Sequence, residues 1–284
     1  MSKEIYVKRI NKRKLRNLWL KRLFIWLFIA LTLVPIFFVV TASLAKGTGF
    51  FQATLIPASV TFDNYVSVLK NTDFLIWLKN SLIISSIVAV LQLIMTTTAA
   101  YAFSRMKFKF RKNGLMMLLI LQMFPSMMTL PAIIGLAYKL GFMDNLAALI
   151  LLLVGGSAFN IWLLKGYIDG LPRELDEAAM VDGAGPFKIF WSMIIPLSRP
   201  MLIVIFLFTF IGTYSEFPLS SALLKDTSNY TLALGLQSFI RDKFSANWTQ
   251  YSAAAVMASL PIVIIFMSFQ KFLAKGLTAG SVKG

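Results

Sequence analysis

Stretches without Asp, Glu, Lys or Arg dominate the chain, at Leu23–Ala45, Asn80–Ser104, Gly114–Tyr138, Asn145–Leu164 and Phe244–Gln270. A sixth, Pro200–Leu224, is interrupted only by Glu216. A helix rises ~1.5 Å per residue, so crossing ~30 Å of hydrocarbon takes about 20 apolar residues. The pattern therefore predicts an all-α polytopic membrane protein with six transmembrane helices, at about 23–45, 80–104, 114–138, 145–164, 200–224 and 248–270. The first stretch follows basic residues and ends near Ser43-Leu44-Ala45, as a secretory signal would. Its 23 residues exceed the ~7–15 of a signal's apolar region, and a retained span is expected.

The intervals between spans have their own patterns. In the loop 46–79, Thr61-Phe62-Asp63-Asn64 reads as a helix start with the Thr61 oxygen as cap. Residues 105–112 alternate cations with apolar side chains, which between two spans implies an interfacial turn with its aromatics among headgroups. Pro125 and Pro131 each delete a backbone hydrogen bond and are candidate kinks in the third span. Gly155-Gly156-Ser157 in the fourth reads as a place where another helix approaches closely. The fifth carries Thr209, Thr213, Tyr214, Ser215 and Glu216 near one end. Glu216 lies roughly 24 Å along from Pro200. It can serve as a helix-ending carboxylate among headgroups or, with Tyr214, line a substrate vestibule, because a charge in a span faces protein or water.

The interval 165–199 is the longest on its side of the membrane and is built for structure. Gly170-Leu171-Pro172 starts a helix, and Glu174, Asp176 and Glu177 place negative charge near its positive pole. Gly183 and Gly185 turn the chain, and Pro186 opens a second helix, Phe187–Ile195, expected to end at Pro196. Such a knob fits either a partner's cleft or a membrane hairpin with no partner.

Composition and charge narrow the class. The 284 residues are 58% hydrophobic and only 14% charged, with a mean hydropathy of +0.75, too little polar surface for a soluble domain. Neither Cys nor His occurs, which removes disulfides, thiolate nucleophiles, Cys/His metal sites and imidazole relays. The net charge of +16 is unevenly placed: 21 of 28 Lys and Arg fall in residues 1–22, 105–112, 165–199 and beyond Gln270. That asymmetry predicts both termini on the cytoplasmic side and a basic cytoplasmic segment 1–22 that meets anionic lipid, with no role in nucleic-acid binding.

Glu177-Ala178-Ala179, three residues, Gly183, nine residues and Met193-Ile194-Ile195-Pro196 resemble the E-A-A-x3-G-x9-I-x-L-P loop of ABC importer permeases. Met193 and Ile195 depart from that pattern by apolar residues of similar size. Asn64-Tyr65, Asn80-Ser81-Leu82, Glu216-Phe217-Pro218, Tyr230-Thr231-Leu232-Ala233, Ala253–Met257 and the tail Gly276–Gly284 are similar to the MalG-like permeases of maltose/maltodextrin-type carbohydrate importers. The resemblance implies a type I importer transmembrane domain over 23–284 and a coupling helix involving Glu177, Ala178, Ala179, Asp182, Gly183 and Pro196. It implies ATPase contacts by the tail at Leu277, Thr278, Gly280 and Lys283, and a segment Ala222–Ser252 that reaches into a binding protein. The implied partners are a second permease, two cytosolic ATPases that bind ATP and Mg²⁺, an extracytoplasmic solute-binding protein and an oligosaccharide held mainly by the other permease. The implied location is the bacterial cytoplasmic membrane.

Maltodextrins are the expected substrate, with galacto-oligosaccharides as the alternative within the class. An ion-coupled secondary transporter would need ionisable groups at the midplane, and only Glu216 is a candidate. A membrane enzyme would need paired carboxylates, an activated Ser or a metal set, none of which appears in the spans. No Gly-rich phosphate loop ending in Lys-Ser/Thr occurs, so no catalytic residue and no cofactor is assigned to this chain, and nucleotide hydrolysis falls to another.

Overall fold

A computed structural model of the protein describes residues 12–49, 57, 59–155, 157–241 and 246–278. Helix α1 (Lys12–Ser43) leads through a turn to α2 (Asp63–Asn71) and the 32-residue α3 (Phe74–Arg105). Next come α4 (Arg111–Gln122), α5 (Ser126–Lys139), α6 (Leu146–Val154) and α7 (Ala158–Asp169). The loop helices are α8 (Arg173–Val181) and α9 (Pro186–Ile189), followed by α10 (Ile195–Tyr214), α11 (Pro218–Leu223), α12 (Leu232–Ser238) and α13 (Trp248–Thr278). Among the described residues the only β-pairing is a single bridge between Ala45 and Val60.

Among the described residues four helical stretches are long and apolar enough to cross a membrane, Arg16–Ser43, Phe74–Arg105, Pro186–Leu223 and Trp248–Phe272. The bent pairs α4–α5 and α6–α7 bring the number to six if each is one span. The first two span helices begin before their uncharged runs, because α1 and α3 start at Lys12 and Phe74 rather than at 23 and 80. Thr61 does what its position predicts, accepting the Asp63 N–H at 3.1 Å where α2 begins. Residues 106–110 form no strand and instead turn the chain from α3 into α4.

Helix α3 is the hub. Its buried positions Ser81, Ser85, Ala89, Thr96 and Ala100 recur at helical spacing, and these small residues let α10, α7 and α6 pack close. At one end Tyr101, Ile168, Ile189, Phe190, Ile194 and Ile205 form a buried cluster. At the other, Phe74, Trp77, Phe210, Tyr214 and Leu232 form a second. Helix α1 packs against α13 and otherwise stays exposed, as an apolar helix in lipid can.

Two breaks refine the expected spans. The third bends by 90° at Met123–Pro125, while α5 runs on through Pro131, so only Pro125 acts as a breaker. The fourth bends by 46° between Val154 and Ala158. Of the expected close approach at Gly155-Gly156-Ser157, the described residues show none at Gly155, where a Cβ would meet only its own turn, Leu152 O at 4.0 Å, whereas Ser157 is buried and Gly156 lies outside the described residues. A break at membrane depth frees backbone groups that water cannot reach, and side chains supply partners. Gln92 Nε2 donates to Leu153 O at 2.8 Å, and the Phe159 N–H donates to Gln122 Oε1 at 2.8 Å.

Proline at 196 does not end the second loop helix. A π-turn, Phe190–Ile194, joins α9 to α10, and the helix runs on into the fifth span. The wider turn, in which the Ile195 N–H reaches Phe190 O, makes room for a proline one residue later whose ring and missing N–H would otherwise break the ladder. That span helix closes at Tyr214 instead of running straight to Leu224, and α11 follows as a separate turn of helix.

Candidate functional site

The loop between the fourth and fifth spans is a clamped two-helix knob. Pro172, extended at φ −56° and ψ 129°, stands just before α8, which then places Glu174, Leu175, Glu177 and Ala178 outward. The α8 C-terminus closes as a Schellman turn: the Gly183 N–H donates to Met180 O at 3.0 Å and the Ala184 N–H to Ala179 O at 2.9 Å. This turn needs the left-handed conformation that Gly183 adopts at φ +79°. Asp182 is the exposed residue preceding it, Ala179 and Ala184 pack on the cluster beneath, and Pro196 is half-buried at the start of α10.

What holds the knob is α3. Asp176 is not a dipole-compensating surface carboxylate; it is buried, with Oδ2 2.6 Å from Arg105 Nε, and each side chain is 9% exposed. Arg105 Nη2 also donates to Leu171 O at 3.1 Å, Ser104 Oγ to Asp169 Oδ1 at 2.6 Å, and the Tyr101 hydroxyl to Pro186 O at 3.0 Å. With its underside fixed, the knob turns an apolar face outward: Met180 is 57% exposed, Val181 88% and Phe187 76%. The Phe187 and Trp191 rings meet edge to face at 6.2 Å between centroids, so the face is preformed.

At the opposite end, α10, α12 and α13 enclose a cleft of about 390 Å³ lined by Tyr214, Phe217, Leu236, Gln237 and Tyr251 among others. Tyr214 is on its wall, its hydroxyl donating to Ala258 O at 2.9 Å. Glu216 is not on that wall. Its two carboxylate oxygens accept the Leu219 and Ser220 N–H groups at 2.6 and 3.0 Å, capping α11. The segment after α11 is tied to α3: Trp77 Nε1 donates to Thr227 O at 2.9 Å, and Asn80 Nδ2 to Ser228 O and Tyr230 O at 2.9 and 3.0 Å. Gly235 is required by this contact, because a Cβ would lie 2.2 Å from the Trp77 ring. The ends of the following loop meet where the Asn247 N–H donates to Phe239 O at 2.8 Å.

Residues 92–279 match the profile of the binding-protein-dependent transport system inner membrane component. The chain belongs to that family. The maltose/maltodextrin transport system permease protein MalG of Vibrio vulnificus is 36% identical over 287 residues, covering 94% of this chain and 96% of its own. The MalG of Escherichia coli K12 is 37% identical over 292 residues, covering 96% and 98%. A bacterial ABC transporter involved in the import of the acidic polysaccharide alginate shares the fold, with a TM-score of 0.77 at 22% identity over 93% of this chain and 99% of that one.

As a member of this inner-membrane family the chain is a multi-pass permease, a transport component and not an enzyme. Its type I importer fold puts Glu177, Ala178, Ala179, Asp182 and Gly183 together on the knob, with Pro196 at its exit into α10. Leu277 and Thr278 end α13, whereas Gly280 and Lys283 lie outside the described residues. The motif pointed to the knob but not to the pair Arg105–Asp176, which is 71 positions apart and carries no short-range signal. Asn64 shows a related gap between resemblance and reason. Its amide donates to Ser43 O and Ala45 O, both at 2.9 Å, and its oxygen accepts from Thr249 Oγ1 at 3.2 Å, joining three elements at the end opposite the knob.

Proposed function

We propose that the protein is the permease subunit of an ATP-driven importer that moves maltodextrin-like oligosaccharides delivered by an extracytoplasmic binding protein. The observation that carries this reading is the clamped knob with a bare apolar face, in a chain whose relatives are maltose/maltodextrin permeases. A partner that rocks such a knob moves α10 with it, because the helix is continuous from Pro186 through the π-turn. Glu177 and Asp182 offer exposed carboxylates to a cleft in a cytosolic ATPase, and Leu277, Thr278, Gly280 and Lys283 are the tail residues assigned to the same ATPase pair. Those ATPases bind ATP and Mg²⁺. A second, homologous permease completes the pathway, and the Tyr214 cleft contributes to its outer vestibule. Both termini are cytoplasmic in a bacterial cytoplasmic membrane, which reporters fused after Lys112 and Gly284 would read directly.

The decisive experiment reconstitutes the chain with its companion permease, ATPase and binding protein in liposomes. ATP hydrolysis should rise only when the binding protein carries a linear maltodextrin. Stimulation by galacto-oligosaccharides alone would reassign the sugar. Accumulation of sugar against a gradient by vesicles holding only this chain would refute the importer reading in favour of a secondary transporter.

A further inference from the structure

We propose that the groove between α4 and α7 binds an anionic phospholipid, with its headgroup at the end beside the coupling knob. Two adjoining cavities line this groove. The first, about 570 Å³, is bordered by Lys109, Arg111 and Lys165 and by no carboxylate. The second, about 350 Å³, is walled by Leu119, Met123, Phe159 and Trp162, with Gln122 as its one polar side chain. Leu119 and Trp162 border both, so cationic mouth and apolar channel are continuous. Phe159 lies six residues before Lys165 on α7, roughly 9 Å deeper. Charge at the interface and hydrocarbon behind it is the order of parts in a phospholipid.

The three cations differ in how they are held. Arg111 is fixed by Nε to Phe103 O at 2.8 Å and Nη2 to Ser104 O at 2.6 Å, bonds to neutral carbonyls that leave its charge uncompensated. Lys165 is ion-paired with Asp169, which stands outside the lining. Lys109 has no ion pair among the described residues. Helix α4 begins between Lys109 and Lys112 with no acidic residue in its first turn and no side-chain cap, so its positive pole adds to the same mouth. Trp162, 49% exposed, and Phe108, 42% exposed, are the amphipathic and aromatic groups that favour the headgroup level. The choice of leaflet rests on the proposed orientation, whereas the preference for an anionic lipid does not.

Trp162 is a reporter already in place. The assembled transporter would be reconstituted in vesicles containing acyl-brominated phosphatidylglycerol or acyl-brominated phosphatidylcholine, without sugar or ATP. The quenching of Trp162 is the difference between the parent and Trp162→Phe. Brominated phosphatidylglycerol should quench it at a several-fold lower mole fraction than brominated phosphatidylcholine. Lys109→Gln should remove about fivefold of that preference, whereas Lys107→Gln, outside the groove, should leave it. Equal quenching by the two lipids would overturn the proposal. So would no quenching by either, which would mean that the second permease covers the groove, and so would equal loss in the Lys107 and Lys109 variants, which would mean diffuse surface charge. Because transport is not the readout, failure here leaves the importer reading standing.

Discussion

Replacing Arg105 by Met tests whether the coupling knob is clamped or merely adjacent to α3. The substitution retains a long apolar stem and removes the charge that faces Asp176 at 2.6 Å. With only 9% of each side chain exposed, the orphaned carboxylate is not rehydrated in place. Breaking a buried pair from one side costs about 3–5 kcal/mol, against about 0–1 kcal/mol for a surface pair. The bond from Arg105 Nη2 to Leu171 O is lost as well. At about 1.4 kcal/mol per tenfold, local opening of α8 should become roughly two to three and a half decades more frequent. Amide hydrogen exchange of Arg173–Val181 in the purified transporter reads this directly, with α13 amides as the internal reference. Asp176→Leu should open α8 comparably. The double variant Arg105→Met with Asp176→Leu should recover most of the protection, since an apolar pair leaves no charge buried. Acceleration below tenfold in the single variants, or a double variant equal to the sum of its parents, would refute the clamp.

Gly183 has open space around its Cα, so Gly183→Ala should act through φ +79° alone, costing about 1–2 kcal/mol, with Gly183→Asn milder. ATPase attachment measured by co-purification distinguishes this from a partner clash, in which the larger Asn would be the worse variant. Glu216→Ala removes the acceptor of two N–H groups and should destabilise α11 by about 0.5–2 kcal/mol, read as faster exchange at Leu219 and Ser220, whereas Glu216→Gln should retain part of the protection. Asp144 sits in the α5–α6 loop, where partial burial pushes its carboxyl up but is outweighed by the Lys225 and Asp226 N–H donors, Asn229 and the Lys225 charge, leaving it below its usual 3.8. A depressed folded-state value means that its contribution is complete above the unfolded value and is lost as pH falls through the folded one. Protection of the Lys225 and Asp226 amides should therefore be flat above pH 4 and fall below it, and Asp144→Asn, which keeps the acceptor oxygen, should flatten that fall.

The importance of sequence distance shows in which features were legible. Uncharged runs announce membrane helices because hydrocarbon tolerates no unpaired charge, a demand each segment meets by its own composition. Gly183 was legible for the same local reason: a Schellman turn is built within six residues, and its left-handed position selects glycine. Pro125 and Pro131 looked alike in the chain, yet only Pro125 sits at a break. The break after Val154 carries no proline at all, and there Gln92 and Gln122 from other helices take up the freed backbone groups of Leu153 and Phe159. Pro196 was misread as a stop because the π-turn that accommodates it depends on how α9 and α10 pack on Tyr101 and Ile168.

The division follows the range of the forces involved. Helix content, the crossing segments and the existence of a structured loop at 165–199 were determined by residues acting on near neighbours or on the lipid around them. The roles of Asp176, Asn64 and Asn80 were decided by tertiary structure. Each is a polar side chain whose partner lies far away in the chain, and a buried polar group takes its function from whichever group satisfies it. Composition can say that such a residue must be satisfied, but only the packed chain brings Asp176 to Arg105 and so turns a helix-start carboxylate into the clamp of the coupling loop.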